Sequence, residues 1–356
     1  MSAAMITLFD HALRLHRQDP GSALPRDGEP YPDVDTQPAP HTDPRLRGAD
    51  VAALLDSHFA RSDAQPADLA GAFRDIHVPI HRNDHITAAA MRADRERVRR
   101  TGRWLVRHGT DRNAVTVGLG LLATDWNGGD IPLIQTIGLL SGHFGPLAVD
   151  ALKRRRNGTE ALLWLADRVA GWGRVYVVEE LCRRGGSTVR PWLLRHACAG
   201  GALDGYYAGD VATASHLHEA ITGNDVDDAM IDQTGRLLAT MADCHGMGTT
   251  LGDYPPAAIV LTARAGHLAR QAPTVDRYVN AAVIADELST KPPERTGCDP
   301  GQRDRIVRQY LAVIEQPAWG AAVRADLDRT GYFADWFADN VATRLGLTAF
   351  TEGDNT

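Results

Sequence analysis

The chain has 356 residues, with 38 Lys+Arg against 45 Asp+Glu, a formal net charge of −7, 44% hydrophobic and 23% charged residues. Those proportions belong to a chain that mostly folds, and the acidic balance argues against a protein whose main business is gripping a phosphate backbone. Cys182, Cys198, Cys244 and Cys298 are scattered without a CxxC pair, which points to neither a zinc finger nor a disulfide-stapled secreted domain. No apolar run approaches the roughly 18 residues of a membrane span, so a soluble, cytoplasmic protein without a membrane anchor is expected.

From the N-terminus, residues 1–17 carry an apolar stripe (Met5, Leu8, Phe9, Ala12, Leu13) interrupted by charge, which predicts a short amphipathic helix rather than a signal peptide. Residues 18–48 hold seven of the 19 prolines and almost no large apolar side chain, the composition of an extended, disordered linker. The N-terminal helices of the body then span 49–112, with helices expected over 49–60, 66–76 and 85–108. The last of these is strongly basic, with Arg92, Arg95, Arg97, Arg99, Arg100, Arg103 and Arg107 diluted by Asp94 and Glu96, and reads as a solvated outer helix.

Over 113–201 an internal period emerges. Gly142, Gly171 and Gly200 are 29 residues apart, and an overlay at that step sets Leu133 on Leu162, Ile134 on Leu163, Leu152 on Leu181, Arg154 on Arg183 and Arg155 on Arg184. A fixed step of this size marks stacked supersecondary units. The predicted hairpins are 131–140 with 146–156, Asp130 capping the first helix and Ser141 to Gly145 turning the chain, then 160–170 with 174–184, capped by Thr159 and turned at Gly171. A third copy opens at Ser187 and the register blurs after Gly201. The C-terminal region 202–347 predicts helices at 204–221, 227–244, 256–270, 274–289, 302–315, 319–328 and 332–345, and 348–356 reads as a frayed tail. Alternating β-branched runs are nearly absent, so the expected class is all-α with essentially no sheet.

The first-turn proline in Asp130-Ile131-Pro132-Leu133-Ile134, the glycine-containing turn and the second helix Leu147-Ala148-Val149-Asp150-Ala151-Leu152-Lys153-Arg154 resemble HEAT-like repeats, over about a quarter of the chain. The resemblance implies an α-solenoid whose second helices line a concave face, and hence a scaffold or binding module for a protein or peptide partner, with no cofactor and no metal. Asp150 with Arg154 and Glu179 with Arg183 stand four apart at equivalent positions, so each pair shares a helix face. With Trp172 and Arg174 they form the expected binding surface.

Two other chemistries are weighed. HEAT-like DNA glycosylases combine aromatic faces with a carboxylate, and under that alternative Asp167 and Trp172 are the site residues. Asp225, Asp227, Asp228 and Asp232 resemble an Mg²⁺-binding acidic motif of a helical metal-dependent enzyme, although Asp227 also reads as a helix start. His77, His81 and His85 step by four, but Pro79 breaks any helix that would align them as zinc ligands. Gly246 to Gly252 follows a helix and matches no phosphate-binding loop.

Overall fold

A computed structural model describes residues 6–33, 38–244, 246–327 and 332–351. Among these the chain is helical throughout and contains no strand. It divides into two compact units, Met1–Arg184 and Gly185–Thr356.

In the N-terminal unit the helices are α1 (Leu8–Gln18), α2 (Ala49–Ala60), α3 (Asp84–Arg92), α4 (Arg95–His108), α5 (Arg112–Leu122), α6 (Ile131–Gly138), α7 (Ser141–Leu152), α8 (Gly158–Ala166) and α9 (Gly171–Arg184). Consecutive helices pair as α4 with α5, α6 with α7 and α8 with α9, while alternate helices pack in two rows, α4, α6, α8 and α3, α5, α7, α9. A core of Val51, Leu55, Leu69, Phe73, Ile86, Leu105, Val117 and Leu121 fills the first half of this arrangement. The basic stretch predicted as one helix is two, because Asp94 leaves the helix and caps α4 by accepting from Arg97 N at 2.9 Å. Several of its arginines are exposed, as expected of an outer face, but they are also paired: Arg95 reaches Asp125 at 2.5 Å, Arg103 pairs with Asp130, and Arg97 donates to Phe59 O at 2.9 Å and Arg61 O at 2.7 Å. Residues 66–76 form only a 3₁₀ turn, Pro66–Leu69, and further turns rather than a helix.

The period is real in the packing, with corrections. Pro146 lies inside α7 and the turn sits one step earlier, at Leu139 and Leu140, so Gly142 and Gly171 open second helices rather than close first ones. Their equivalence has a steric purpose near the same spot: a Cβ on Gly173 would meet Ser141 Oγ at 1.9 Å, so α9 crosses α7 at a distance only glycine allows. Second helices repeat at 29, but Ile134 and Leu162 are both fully buried whereas Leu163 is not, which puts the first helices in a step of 28. The longer α8–α9 connection absorbs the odd residue. Asp130 and Thr159 do not cap as expected. Asp130 is turned to Arg103, and Thr159 Oγ1 accepts from Arg184 Nη1 at 3.0 Å, leaving Asn157 at the N-cap position of α8.

Those arginines show what the repeat conserves physically. Arg155 Nη2 donates to Leu122 O at 2.9 Å, and its equivalent Arg184 donates to Lys153 O; each ties the end of one second helix to the carbonyls that end the second helix before it. Carbonyls at a helix C-terminus have no partner within the helix, and a guanidinium fork supplies one.

The proline-rich segment is not an unanchored linker, although Val34 to Gln37 lie outside the described residues. Leu24 and Tyr31 are buried, and Asp27, at φ 55°, accepts from Ser141 N at 2.9 Å, Ser141 Oγ at 2.6 Å and Gly142 N at 2.5 Å. A carboxylate from 114 residues earlier thus caps α7, and burial raises its pKa against the pull of those bonds. Asp33 pairs with Arg112 at 3.0 Å. Helix α1 is likewise docked on α4 and α6, with Leu8 and Ala12 fully buried and His11 bonded to Gly28 O at 2.7 Å.

The C-terminal unit comprises α10 (Arg190–His196), α11 (Ala208–Ala214), α12 (Leu217–Thr222), α13 (Asp228–Asp243), α14 (Ala257–Leu268), α15 (Val275–Thr290), α16 (Pro300–Ile314), α17 (Pro317–Asp326) and α18 (Tyr332–Phe337), the last continuing through a π turn, Ala338–Ala342. Here too alternate helices pack in rows, α12, α14, α16 and α11, α13, α15, α17, with α10 also packed on α13, although the sequence period has gone. The helix expected over 204–221 is broken at His216, which takes a left-handed φ of 52° between α11 and α12. Of the expected tail, Thr348–Thr351 is a short helix and 352–356 lie outside the described residues.

Replacing Asp27 by Ala is expected to cost about 1–2 kcal/mol of stability, since it removes a cap and places alanine at positive φ. Limited proteolysis would then cut within 19–33 at an enzyme concentration that leaves the parent chain intact; equal resistance in both would show that Asp27 does not hold the segment. Arg155→Met, which strips the tie to Leu122 O, is expected to cost about 1.5–3 kcal/mol in urea unfolding.

Candidate functional site

The row α3, α5, α7, α9 turns one face to a groove, and the loop 79–83 forms part of its wall. The groove holds two hollows, of about 220 Å³ and about 360 Å³, which share His81, Arg82 and Asp150. The first is built from α3 (Ile86, Thr87, Met91), α5 (Thr116, Gly120) and the Trp126 that follows α5; the second from α7 (Val149, Lys153) and α9 (Tyr176, Glu179, Arg183). Helical spacing explains the set: Gly120 and Ala123 leave room beside α5, and Tyr176, Glu179, Glu180 and Arg183 recur at three and four along α9.

Charge and apolar surface alternate along the groove. Asp150 is buried, and its Oδ1 lies 2.8 Å from Lys153 Nζ. The expected Asp150–Arg154 pair is absent: α7 ends at Leu152, so Arg154 has left the helix and the four-residue step no longer brings the two together. Arg154 lines the first hollow, and its Nε is buried without an acceptor. The pair on α9 is present, Arg183 to Glu179 at 3.4 Å, and Arg183 also contacts Glu180, which is the more buried of the two acids. Trp172 is 44% exposed and stacks on Tyr176 at 6.2 Å between centroids, while His81 meets the edge of Tyr176 at 5.7 Å. Burial, then the charge of Glu179, push the Tyr176 phenol up, which keeps it a neutral donor. At the other end Met91 is 70% and Trp126 53% exposed, with Arg95 5.0 Å over the indole.

Of the expected surface, the structure therefore gathers Asp150, Arg154, Glu179 and Arg183 along one groove, with Trp172 beside them through Tyr176. Arg174 points elsewhere and donates to Ala166 O at 2.7 Å, at the end of α8. Asp167 stands at that same helix end as its C-cap residue, exposed, and neither it nor Trp172 lines either of these two hollows. The wall loop, Met91 and Trp126 escaped sequence reasoning. The one available signal was an isolated tryptophan in the polar turn Thr124-Asp125-Trp126-Asn127-Gly128-Gly129.

Three of the four acids of the motif in the C-terminal unit already have arginine partners. Asp227 caps α13 by accepting from Met230 N at 2.8 Å and pairs with Arg195 at 2.9 Å; Asp232 and Asp228 both receive Arg277, at 2.7 Å and 3.3 Å. Asp225 is exposed. His77, His81 and His85 are likewise not assembled, since His85 bonds Arg45 O at 2.7 Å and His81 faces Tyr176. Among the described residues no group of three or more potential ligands is gathered for a metal ion, and no helix is long and apolar enough to cross a membrane.

Comparison with known proteins returns no matching family model, no matching curated protein and no matching solved structure. The groove stands on its own geometry.

Because Arg277 occupies Asp228 and Asp232, millimolar Mg²⁺ is expected to move the melting temperature of the chain by less than about 1 °C. Arg277→Ala, which frees both carboxylates, is expected to lower the melting temperature and make it respond to Mg²⁺. A clear Mg²⁺-dependent rise in the unaltered chain would mean that the acids are available as ligands after all.

Proposed function

We propose that the N-terminal unit is a HEAT-like solenoid that serves as a binding module, and that the groove along α3, α5, α7 and α9 receives an extended peptide segment of a protein partner. The observation that carries this reading is the order of groups along the groove: exposed Met91 and Trp126 at one end, the Asp150–Lys153 pair in the middle, and the Trp172–Tyr176 stack beside Glu179 and Arg183 at the other. Half-exposed aromatics next to polar groups are the usual anchors of interfaces. Neighbouring helices lie about 8–10 Å apart, so from α5 to α9 is roughly 20 Å, which about six extended residues span. A peptide with an apolar anchor at each end and a charged centre fits this order.

The chemistry available favours binding over catalysis. The acids in the groove have arginine or lysine partners, and the basic helix α4, which a phosphate-binding role would expose, spends Arg95, Arg97, Arg103 and Arg107 on neighbouring groups of its own unit. A protein partner is thereby favoured over a nucleic acid.

Selection of random peptides against the chain is expected to enrich sequences of this pattern. The double charge reversal Asp150→Lys with Lys153→Glu is expected to weaken an enriched peptide by tenfold or more, about 1.4 kcal/mol, and Trp126→Ala by a similar factor, as read by fluorescence anisotropy. Peptides bound equally by all three proteins would place the binding surface elsewhere. Submicromolar, steeply salt-dependent binding of duplex DNA would favour a nucleic-acid role instead.

A further inference from the structure

We propose that the C-terminal unit binds a small carboxylate-bearing molecule in a cavity whose floor is the buried guanidinium of Arg264. The cavity measures about 470 Å³ and is lined by α13 (Asp232, Arg236), α14 (Arg264), the start of α15 (Thr274 to Arg277, and Asn280) and Asp326. Every residue of it belongs to the one unit, and none belongs to the peptide groove.

Arg264 is fully buried, and Nε, Nη1 and Nη2 have no hydrogen bond of normal geometry among the described residues, the Tyr310 hydroxyl being the polar group near enough to interact with the guanidinium. The fold has made room for it. A Cβ on Gly235 would lie 2.6 Å from Nη2, so the guanidinium rests flat on the backbone of α13, and its Cζ lies 5.4 Å from the centroid of the Tyr310 ring. The Tyr310 hydroxyl donates to Leu261 O at 3.3 Å. An arginine without an acceptor carries a desolvation cost that a methionine of similar volume would avoid, and five N–H donors in a planar fork match a carboxylate.

The other charges set the ligand class. Arg277 is committed to Asp232 and Asp228, and Arg236 lies 3.8 Å from the exposed Asp276. Arg264 is therefore the cation at the floor that has no carboxylate partner among the described residues. The first turn of α15, capped by Thr274 accepting from Arg277 N at 3.3 Å, adds the partial positive charge of a helix N-terminus on the same wall. The exposed rim carries Asp276 and Asp326, which disfavour a dianion such as phosphate and favour a monoanionic carboxylate, one with an ammonium group on the rim side above all. Arg264 has no exposed surface of its own, so direct contact with a ligand requires lining side chains of the cavity to shift.

The test is titration of the full chain with acetate, glycine and inorganic phosphate at constant ionic strength set by sodium chloride, followed by melting temperature and by the ¹⁵Nε–¹H resonance of arginine. The expected result is saturable stabilisation by the two carboxylates, glycine the tighter, with one buried arginine resonance shifting and phosphate weaker than both. Arg264→Met is expected to melt no lower than the parent in chloride alone and to lose the carboxylate effect, at least about tenfold in affinity. Arg236→Gln, at the rim, keeps the fold and changes affinity without abolishing binding. No saturable effect from any of the three anions, or the same effect in Arg264→Met, overturns the proposal. So does a fall in the melting temperature of Arg264→Met by several degrees in chloride, which would give the guanidinium a structural partner.

Discussion

The arginine that ends each second helix is the constraint on which the N-terminal unit depends. Arg155 and Arg184 each bring a charged donor to carbonyls that the preceding second helix leaves without partners, at Leu122 and Lys153. Such a tie acts between repeats rather than within one, so it sets the distance and rotation of one helix against the next. Apolar packing alone, being non-directional, leaves that choice open. The close crossing at Gly173 and Ser141 supplies the complementary limit at the opposite end of the same helices. Held at both ends, α7 and α9 present a fixed face to the groove, which is the condition for a pre-formed binding surface.

The arginines come in adjacent pairs, and the members of a pair do different work. Arg155 and Arg184 turn inward to the carbonyls; Arg154 and Arg183 turn to the groove. In α9 the successive residues Arg183 and Arg184 point roughly 100° apart, and Arg154 and Arg155 diverge in the turn after α7, so one pair serves both the stack and its surface. A ligand that draws on Arg154 or Arg183 therefore acts on residues whose immediate neighbours fix the helix register.

Sequence reasoning reached the all-α class because it rests on local periodicity. The 29-residue step, the paired arginines and the acids at 150 and 179 are all visible as spacing. It erred where a contact crosses many residues. Asp27 caps a helix more than a hundred positions away, so a proline-rich stretch with little apolar content gave no sign that it would be pinned. Asp150 finds Lys153 and not Arg154 because α7 stops at Leu152, and helix ends are the least legible feature of a sequence. The turn at 141–145 was misplaced because Pro146 reads as a helix start, whereas it lies inside α7 as its sixth residue, where its missing N–H leaves the Gly142 carbonyl without its helical donor. The split of the 29-residue step into 28 for first helices follows from a connection length, which leaves no periodic trace.

The C-terminal unit keeps the alternation of helices in rows after its sequence period has disappeared. Packing of alternate helices requires only that each has an apolar side toward its neighbours, and that requirement tolerates wide variation in length and connection. Conserving the pattern of contacts while relaxing the sequence frees individual interior positions for other uses. Gly235 and Arg264 are such a pair: a glycine in mid-helix costs about 1 kcal/mol relative to alanine, and a buried guanidinium without an acceptor costs more. Neither helps α13 and α14 to pack. Two unfavourable choices that fit each other, since a Cβ on Gly235 would fall 2.6 Å from the guanidinium, beside a cavity large enough for a small molecule, mark a place where the fold gives up stability to hold a charge in position.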